Sequence, residues 1–171
     1  MTAAEIILGL VTAQRGAELV LSRHNTSRLM ARGAIEVGAG HYPLVVAVHA
    51  AWLIALWMFG YDQPIYLPAL GVYLLLQVLR IWVMASLGAR WTTRIIVLPN
   101  APLVARGPYR YLRHPNYAVV GGEIAVLPLM LYLPYLAVLF TILNGMVLLV
   151  RIRAEERALQ SLRVSAQDTP S

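Results

Sequence analysis

Five long apolar segments dominate the chain and constrain its fold more than any other feature. They cover residues 2–21, 42–59, 65–87, 117–133 and 134–150. A helix that crosses a bilayer needs about 20 largely apolar residues. Charged residues make up 13% of the chain, against about 25% in soluble domains. The sequence therefore predicts an all-α integral membrane bundle of about five transmembrane helices, formed as a single domain over residues 1–164.

The boundary between the last two apolar segments falls at Pro134. Proline fits the first position of a helix but breaks a helix that precedes it. We therefore expect a tight helical hairpin at this point. Residues 165–171 are small and polar, and we expect a disordered tail there.

The arginines alternate between loops in a way that fits five crossings. All 14 basic residues are arginine, and 12 of them follow the first, third and fifth segments, whereas the loops after the second and fourth have none. Basic loops of membrane proteins face the cytoplasm. The pattern predicts an N-terminus outside and a C-terminus in the cytoplasm. It also explains the net charge of +6 without nucleic-acid binding.

The loop over residues 87–116 is the segment most indicative of function. It exceeds the length of ordinary connections and is rich in apolar and aromatic residues, so we expect it to pack over a site on the cytoplasmic side. Gly107 permits a turn, and Pro115 fits the first turn of the fourth helix. His114 would then lie at a helix N-terminus, which suits an anionic group. A basic loop that faces lipid headgroups is the alternative.

Charged residues in and after the last two segments form a second group of interest. Arg151 and Glu155 are four residues apart on one helical face, with Glu156 turned away. The alternative for these residues is a simple salt bridge on a solvated helix. Glu123 lies inside the fourth segment and should face the bundle or a wet cavity, although a neutral glutamate that serves helix packing is also possible. The absence of cysteine and the scattered histidines argue against a metal site.

These motifs together resemble the isoprenylcysteine carboxyl methyltransferase family over about residues 91–159. The first block contains Leu103-Val104, Gly107-Pro108-Tyr109 and the run Arg113-His114-Pro115-Asn116-Tyr117. The second block, one apolar hairpin later, contains Arg151, Glu155 and Glu156. Two departures from eukaryotic members, Val119 in place of glycine and a tail without aromatic residues, make the chain similar to the short bacterial members. Some of those methylate long-chain alkylpyrones. The resemblance to bacterial members implies a location in a bacterial inner membrane.

The resemblance implies a membrane O-methyltransferase that uses S-adenosylmethionine. Its acceptor would be a lipophilic molecule with a carboxylate or acidic hydroxyl, reached from the surrounding membrane lipids. Arg151 would face the acceptor anion and Glu156 would support the site. The residues expected to hold the cofactor are Leu103, Val104, Tyr109, His114, Pro115, Asn116, Tyr117 and Glu155.

Two other functions stay open from the sequence alone. One is a membrane reductase of the sterol reductase type, which uses a nicotinamide cofactor, but such proteins are longer and end in a different charged signature. The other is a membrane scaffold without catalytic activity, for which Tyr109, His114 and Glu155 would matter only for packing.

Overall fold

The computed structural model describes the backbone of residues 1–99, 101–102 and 104–167, and the side chains within these ranges up to residue 157. Its five helices are α1 (Ala3–Met30), α2 (Tyr42–Gly60), α3 (Leu67–Leu87), α4 (Pro115–Met130) and α5 (Pro134–Gln167). Two short strands, β1 (Ile35–Val37) and β2 (Ile95–Val97), pair antiparallel. The predicted all-α bundle is confirmed, and the small sheet is an addition that the sequence did not indicate.

Three segments within the described residues are long and apolar enough to cross a membrane: 39–60, 67–90 and 134–157. Their outer surfaces expose large apolar side chains, such as Ile54, Leu74 and Ile142, each more than half exposed. So many exposed apolar side chains indicate a surface that faces lipid. The chain is therefore a membrane protein, and whether α1 and α4 also cross the bilayer stays a prediction.

Helix α1 differs from the three apolar segments because its buried stripe changes character along its length. The stripe begins with Ala4, Leu8 and Val11 and continues with Glu18 and Ser22. The apolar half packs in the core with residues of α2, α4 and α5. The polar half makes specific hydrogen bonds instead, which is why the helix extends nine residues beyond the end that apolarity predicts.

A buried cluster of four charges joins α1, α3 and α4. Glu123 is fully buried and accepts hydrogen bonds from Arg15, at 2.7 Å, and from Arg80. Arg80 also forms a two-pronged pair with Glu18, which Arg15 contacts at 3.0 Å. Two arginines face two carboxylates, so the cluster has no net charge. Such pairing is what a charge inside a membrane bundle requires.

The cluster resolves the open question about Glu123. Its side chain faces the bundle, as expected, and its partners are those of an ionised carboxylate rather than of a neutral packing group. The neighbouring Gly122 permits a close approach of α3, since an added Cβ would lie 3.0 Å from Leu76.

The hairpin between α4 and α5 turns over residues 131–133, and α5 begins at Pro134 as predicted. The length of α5, about 51 Å at 1.5 Å per residue, exceeds the bilayer core, so its C-terminal half extends beyond the apolar segment. Residues 165–167 belong to this helix. The helix therefore reaches the first three residues of the predicted disordered tail, and the tail itself stays a prediction. Residues 168–171 lie outside the described residues.

Candidate active site

A cavity of about 930 Å³ lies where the C-terminal ends of α1 and α3, the N-terminus of α4 and the part of α5 that follows its apolar segment meet. Small-molecule sites range over about 300–1,000 Å³, so the cavity has room for a nucleoside-sized ligand and a second group. Predicted site residues that line it are Val104, Tyr109, His114, Asn116, Tyr117, Arg151, Glu155 and Glu156.

The two remaining predicted residues are Pro115 and Leu103. Pro115 is the buried first residue of α4, between the lining residues His114 and Asn116, and it shapes the helix start. Leu103 lies outside the described residues.

A carboxylate and two aromatic rings form the polar wall of the cavity. The Tyr117 hydroxyl donates a hydrogen bond to Glu155 Oε2 at 2.8 Å, and His114 Nδ1 lies 3.7 Å from the same oxygen. The rings of His114 and Tyr117 stack with centroids 5.4 Å apart and planes 14° apart. The start of α4 and the end of α5 are thereby joined within reach of one ligand.

Arg151 lies beside this wall and is 6% exposed. Its Nη2 donates to the Thr93 carbonyl at 2.9 Å, and its guanidinium lies 5.5 Å from the centre of the Tyr117 ring. Its Nε is buried without a hydrogen-bond partner in the described part of the chain. Arg151 and Glu155 form no ion pair among the described side chains, so the alternative of a helical salt bridge is wrong. Both residues line the cavity instead.

A tight turn brings Tyr109 into the cavity wall. Gly107 begins the turn with φ of 58°, and an added Cβ would lie 2.1 Å from the Ser86 hydroxyl. Glycine is thus required both for the backbone angle and for contact with α3. Burial, with a smaller effect of the nearby Glu155 carboxylate, raises the pKa of the Tyr109 phenol. Tyr109 therefore remains a neutral hydrogen-bond donor at physiological pH.

Another wall includes β2, which pairs with β1 in a two-stranded roof that sequence reasoning missed. Arg94, just before β2, donates to both carboxylate oxygens of Glu36 in β1 at 2.7 and 2.9 Å. The same guanidinium lies 4.4 Å from the centre of the Tyr42 ring. Three-residue strands carry too little periodicity to be recognised in a sequence. The prediction that residues 87–116 pack over a site is nevertheless supported by this roof.

A sequence model of the isoprenylcysteine carboxyl methyltransferase family matches residues 69–161. This match covers more than half of the chain and includes the polar wall that carries Tyr117 and Glu155. The chain belongs to this family. It is therefore a membrane protein of a methyltransferase family, and the resemblance inferred from the two motif blocks is confirmed.

Two relatives of this family member match over almost their full lengths. The uncharacterized protein YpbQ of Bacillus subtilis is 42% identical over 165 residues, which is 93% of this chain and 98% of that protein. An uncharacterized protein of Haemophilus influenzae is 26% identical over 92% of this chain and 95% of its own length. No solved structure matches the chain.

The family match leaves out the first 68 residues of this methyltransferase-family chain. The omitted part includes β1, which pairs with the cavity-lining strand β2, and the polar half of α1, near whose end Leu29 lines the cavity. The structure thus adds to the site a set of contacts from outside the region that identifies the family.

Proposed function

We propose that the protein is an S-adenosylmethionine-dependent O-methyltransferase that acts on an acidic lipophilic molecule. The observation that carries the proposal is the contact of Glu155 with both Tyr117 and His114 in a cavity that Arg151 also lines. The reaction brings together a cationic methyl donor and an anionic acceptor. The Glu155 carboxylate suits the cation, and the nearby Arg151 guanidinium suits the anion.

The cavity residues fit the cofactor in their chemistry. Glu155 suits a cationic group, and the faces of Tyr109 and Tyr117 can contact a cation. The backbone N–H of Asn116 at the N-terminus of α4, together with His114, suits a carboxylate. Asn116 Oδ1 is buried without a partner among the described side chains, and a ligand donor would remove the cost of leaving it unpaired.

Arg151 is the residue that we assign to the acceptor. S-adenosylmethionine supplies a methyl group on a sulfonium, and transfer to an oxygen anion breaks the carbon–sulfur bond, forms a carbon–oxygen bond and leaves a neutral thioether. A carboxylate or acidic hydroxyl is already ionised at neutral pH, so the residues need not remove a proton. The contribution of the protein is then to hold the anion at Arg151, orient it and exclude water.

The acceptor's apolar part is best accommodated along the aliphatic side of the cavity. Leu29 at the end of α1, Leu87 at the end of α3 and Leu98 after β2 line that side. The ends of α1 and α3 adjoin lipid-facing surface, which supports entry of the acceptor from the bilayer. A long-chain alkylpyrone is the acceptor class that we favour over a prenylated protein.

The arginines support the orientation proposed for the site. The chain segments that follow α1 and α3 and the end of α5, which contain most of the arginines, converge around the cavity. By the positive-inside rule this end faces the cytoplasm. We propose a multi-pass protein of a bacterial inner membrane, with the N-terminus outside and Glu156 at the cytoplasmic mouth of the cavity.

Titration calorimetry with S-adenosylhomocysteine, on protein in detergent, tests the assignment of roles. Glu155→Ala should weaken binding at least roughly 30-fold, because it removes a charged hydrogen-bond acceptor. Arg151→Ala should leave this affinity within about twofold but reduce methylation of an alkylpyrone. Asp62→Asn, an exposed acid between α2 and α3, serves as the control. Undiminished binding by Glu155→Ala would contradict the proposed site.

A further inference from the structure

Thr93 occupies a junction in the segment between α3 and β2. Its backbone N–H donates a hydrogen bond to Ser22 Oγ at 2.8 Å. The two hydroxyls of Thr93 and Ser22 are also 2.8 Å apart. Ser22 lies on α1 and is 2% exposed, so this pair of contacts is shielded from water. Thr93 is thereby held to α1 by both its main chain and its side chain.

A second contact fixes Thr93 from the start of α2. The Tyr42 hydroxyl lies 3.0 Å from Thr93 Oγ1. Tyr42 is itself held in place, since the Arg94 guanidinium covers its ring at 4.4 Å and pairs with Glu36. Helices α1 and α2 therefore contact Thr93 directly, and β1 supports the Tyr42 contact through Arg94.

The Thr93 carbonyl in turn holds the arginine that we assign to the acceptor. It accepts the 2.9 Å hydrogen bond from Arg151 Nη2. On its other side the Arg151 guanidinium contacts the Tyr117 ring. A continuous series of contacts thus leads from Ser22 and Tyr42, through Thr93, to Arg151.

We propose that Ser22 and Tyr42 are positioning residues, which act through Thr93 to hold Arg151 where the acceptor anion must bind. This inference rests on the proposed function of Arg151. Both residues lie outside the region 69–161 that matches the family. Displacement of a binding group by about 1 Å can reduce a rate by roughly 100-fold, so loss of these small hydroxyls should matter although neither touches the substrate.

The first experiment measures the position of Arg151 without any enzymatic activity. Phenylglyoxal modifies accessible arginines, and peptide mass spectrometry gives the modification rate at each one. In the double variant Ser22→Ala/Tyr42→Phe, modification of Arg151 should be at least roughly fivefold faster than in the parent protein, as expected for loss of a hydrogen bond. The exposed Arg153 is the internal reference, and Tyr61→Phe, an exposed tyrosine, is the matched control.

The second experiment measures what the displacement does to the reaction, with a long-chain alkylpyrone as the probe acceptor. We expect KM for the alkylpyrone to rise about tenfold in Ser22→Ala and in Tyr42→Phe. Affinity for S-adenosylhomocysteine should stay within about twofold, because the Glu155 and Tyr117 wall is untouched. Thr93→Val should show the same pattern, and Thr93→Ser, which keeps the hydroxyl, should restore the parent KM.

Two results would overturn this proposal, and a third would refute the proposed function on which it rests. An unchanged modification rate at Arg151 shows that the contacts do not position it, whatever reaction the protein catalyses. An equal loss of alkylpyrone and S-adenosylhomocysteine binding shows a general structural defect. Failure of the parent protein to bind S-adenosylhomocysteine refutes the proposed function, and the modification rates then decide only whether Ser22 and Tyr42 fix Arg151.

Discussion

Removing one member of the buried charge cluster should destabilise the bundle strongly. Glu123 accepts hydrogen bonds from Arg15, Arg80 and Gln77 while fully buried. Glu123→Gln keeps the shape but leaves two arginines facing the single carboxylate of Glu18. Breaking a buried ion pair in this way costs about 3–5 kcal/mol. At about 2–4 °C per kcal/mol for a chain of this size, the expected loss is about 6–20 °C in Tm.

The compensating variant separates charge balance from mere packing. Arg80→Gln combined with Glu123→Gln leaves Arg15 and Glu18, which contact each other at 3.0 Å, as a balanced pair. Residues in one network couple by about 0.5–3 kcal/mol. We therefore expect the decrease in unfolding free energy of the double variant to be smaller than the summed decreases of the two single variants, by at least about 1 kcal/mol.

Thermal unfolding in detergent, followed by near-UV circular dichroism, measures these differences. Asp62→Asn is the control because it removes an exposed acid in the loop between α2 and α3, outside the charge cluster. A Tm within about 2 °C of the parent for Glu123→Gln, or strictly additive losses in the double variant, would refute the role of the cluster.

Three further predictions address the glycines and the roof. Gly122→Ala should lower the free energy of unfolding by about 1–3 kcal/mol, because the added Cβ would lie 3.0 Å from Leu76. Gly121→Ala, where the added Cβ meets open space, should be neutral or slightly stabilising in the same unfolding assay. Equal effects of the two substitutions would contradict the close approach of α3 to α4. Gly107→Ala should weaken S-adenosylhomocysteine binding at least roughly tenfold, because both the positive φ and the Ser86 contact disfavour a side chain in the turn that positions Tyr109. Parental affinity of this variant in titration calorimetry would refute the prediction. Glu36→Gln should speed hydrogen exchange in 95–97 at least roughly twofold because the Arg94 pair holds the two strands, and unchanged exchange would show that the sheet does not depend on that pair.

The helices were predictable because their signals are local. Long apolar runs located α2 and α3 to within two residues of their observed bounds, and Pro134 marked the start of α5. The end of α5 was not located, because the helix continues 17 residues beyond the apolar run. The arginine-rich loops converge at one end of the bundle. The cavity residues were predictable for a different reason. His114, Tyr117 and Glu155 stand in two motif blocks whose separation by one hairpin brings them to the same end.

The unpredicted features depend on contacts between distant parts of the chain. Arg80 lies inside an apolar run, where hydropathy averages hide a single charge, so its pairing with Glu123 was not foreseen. Strands of three residues and single hydroxyls such as Ser22 and Tyr42 have no distinctive pattern in the sequence. Their roles arise only from where the helices place them, about 50 to 70 residues from Thr93.

Photochemical crosslinking tests most directly whether the cavity between α4 and α5 holds the methyl donor. S-adenosylmethionine carrying a labelled methyl group is irradiated with the detergent-solubilised protein, and labelled peptides are mapped by mass spectrometry. We expect label on the segment containing Tyr109 and Tyr117, and this labelling should be strongly reduced in Glu155→Ala and unchanged in Asp62→Asn. Label confined to other helices, or labelling that Glu155→Ala leaves unaffected, would contradict it.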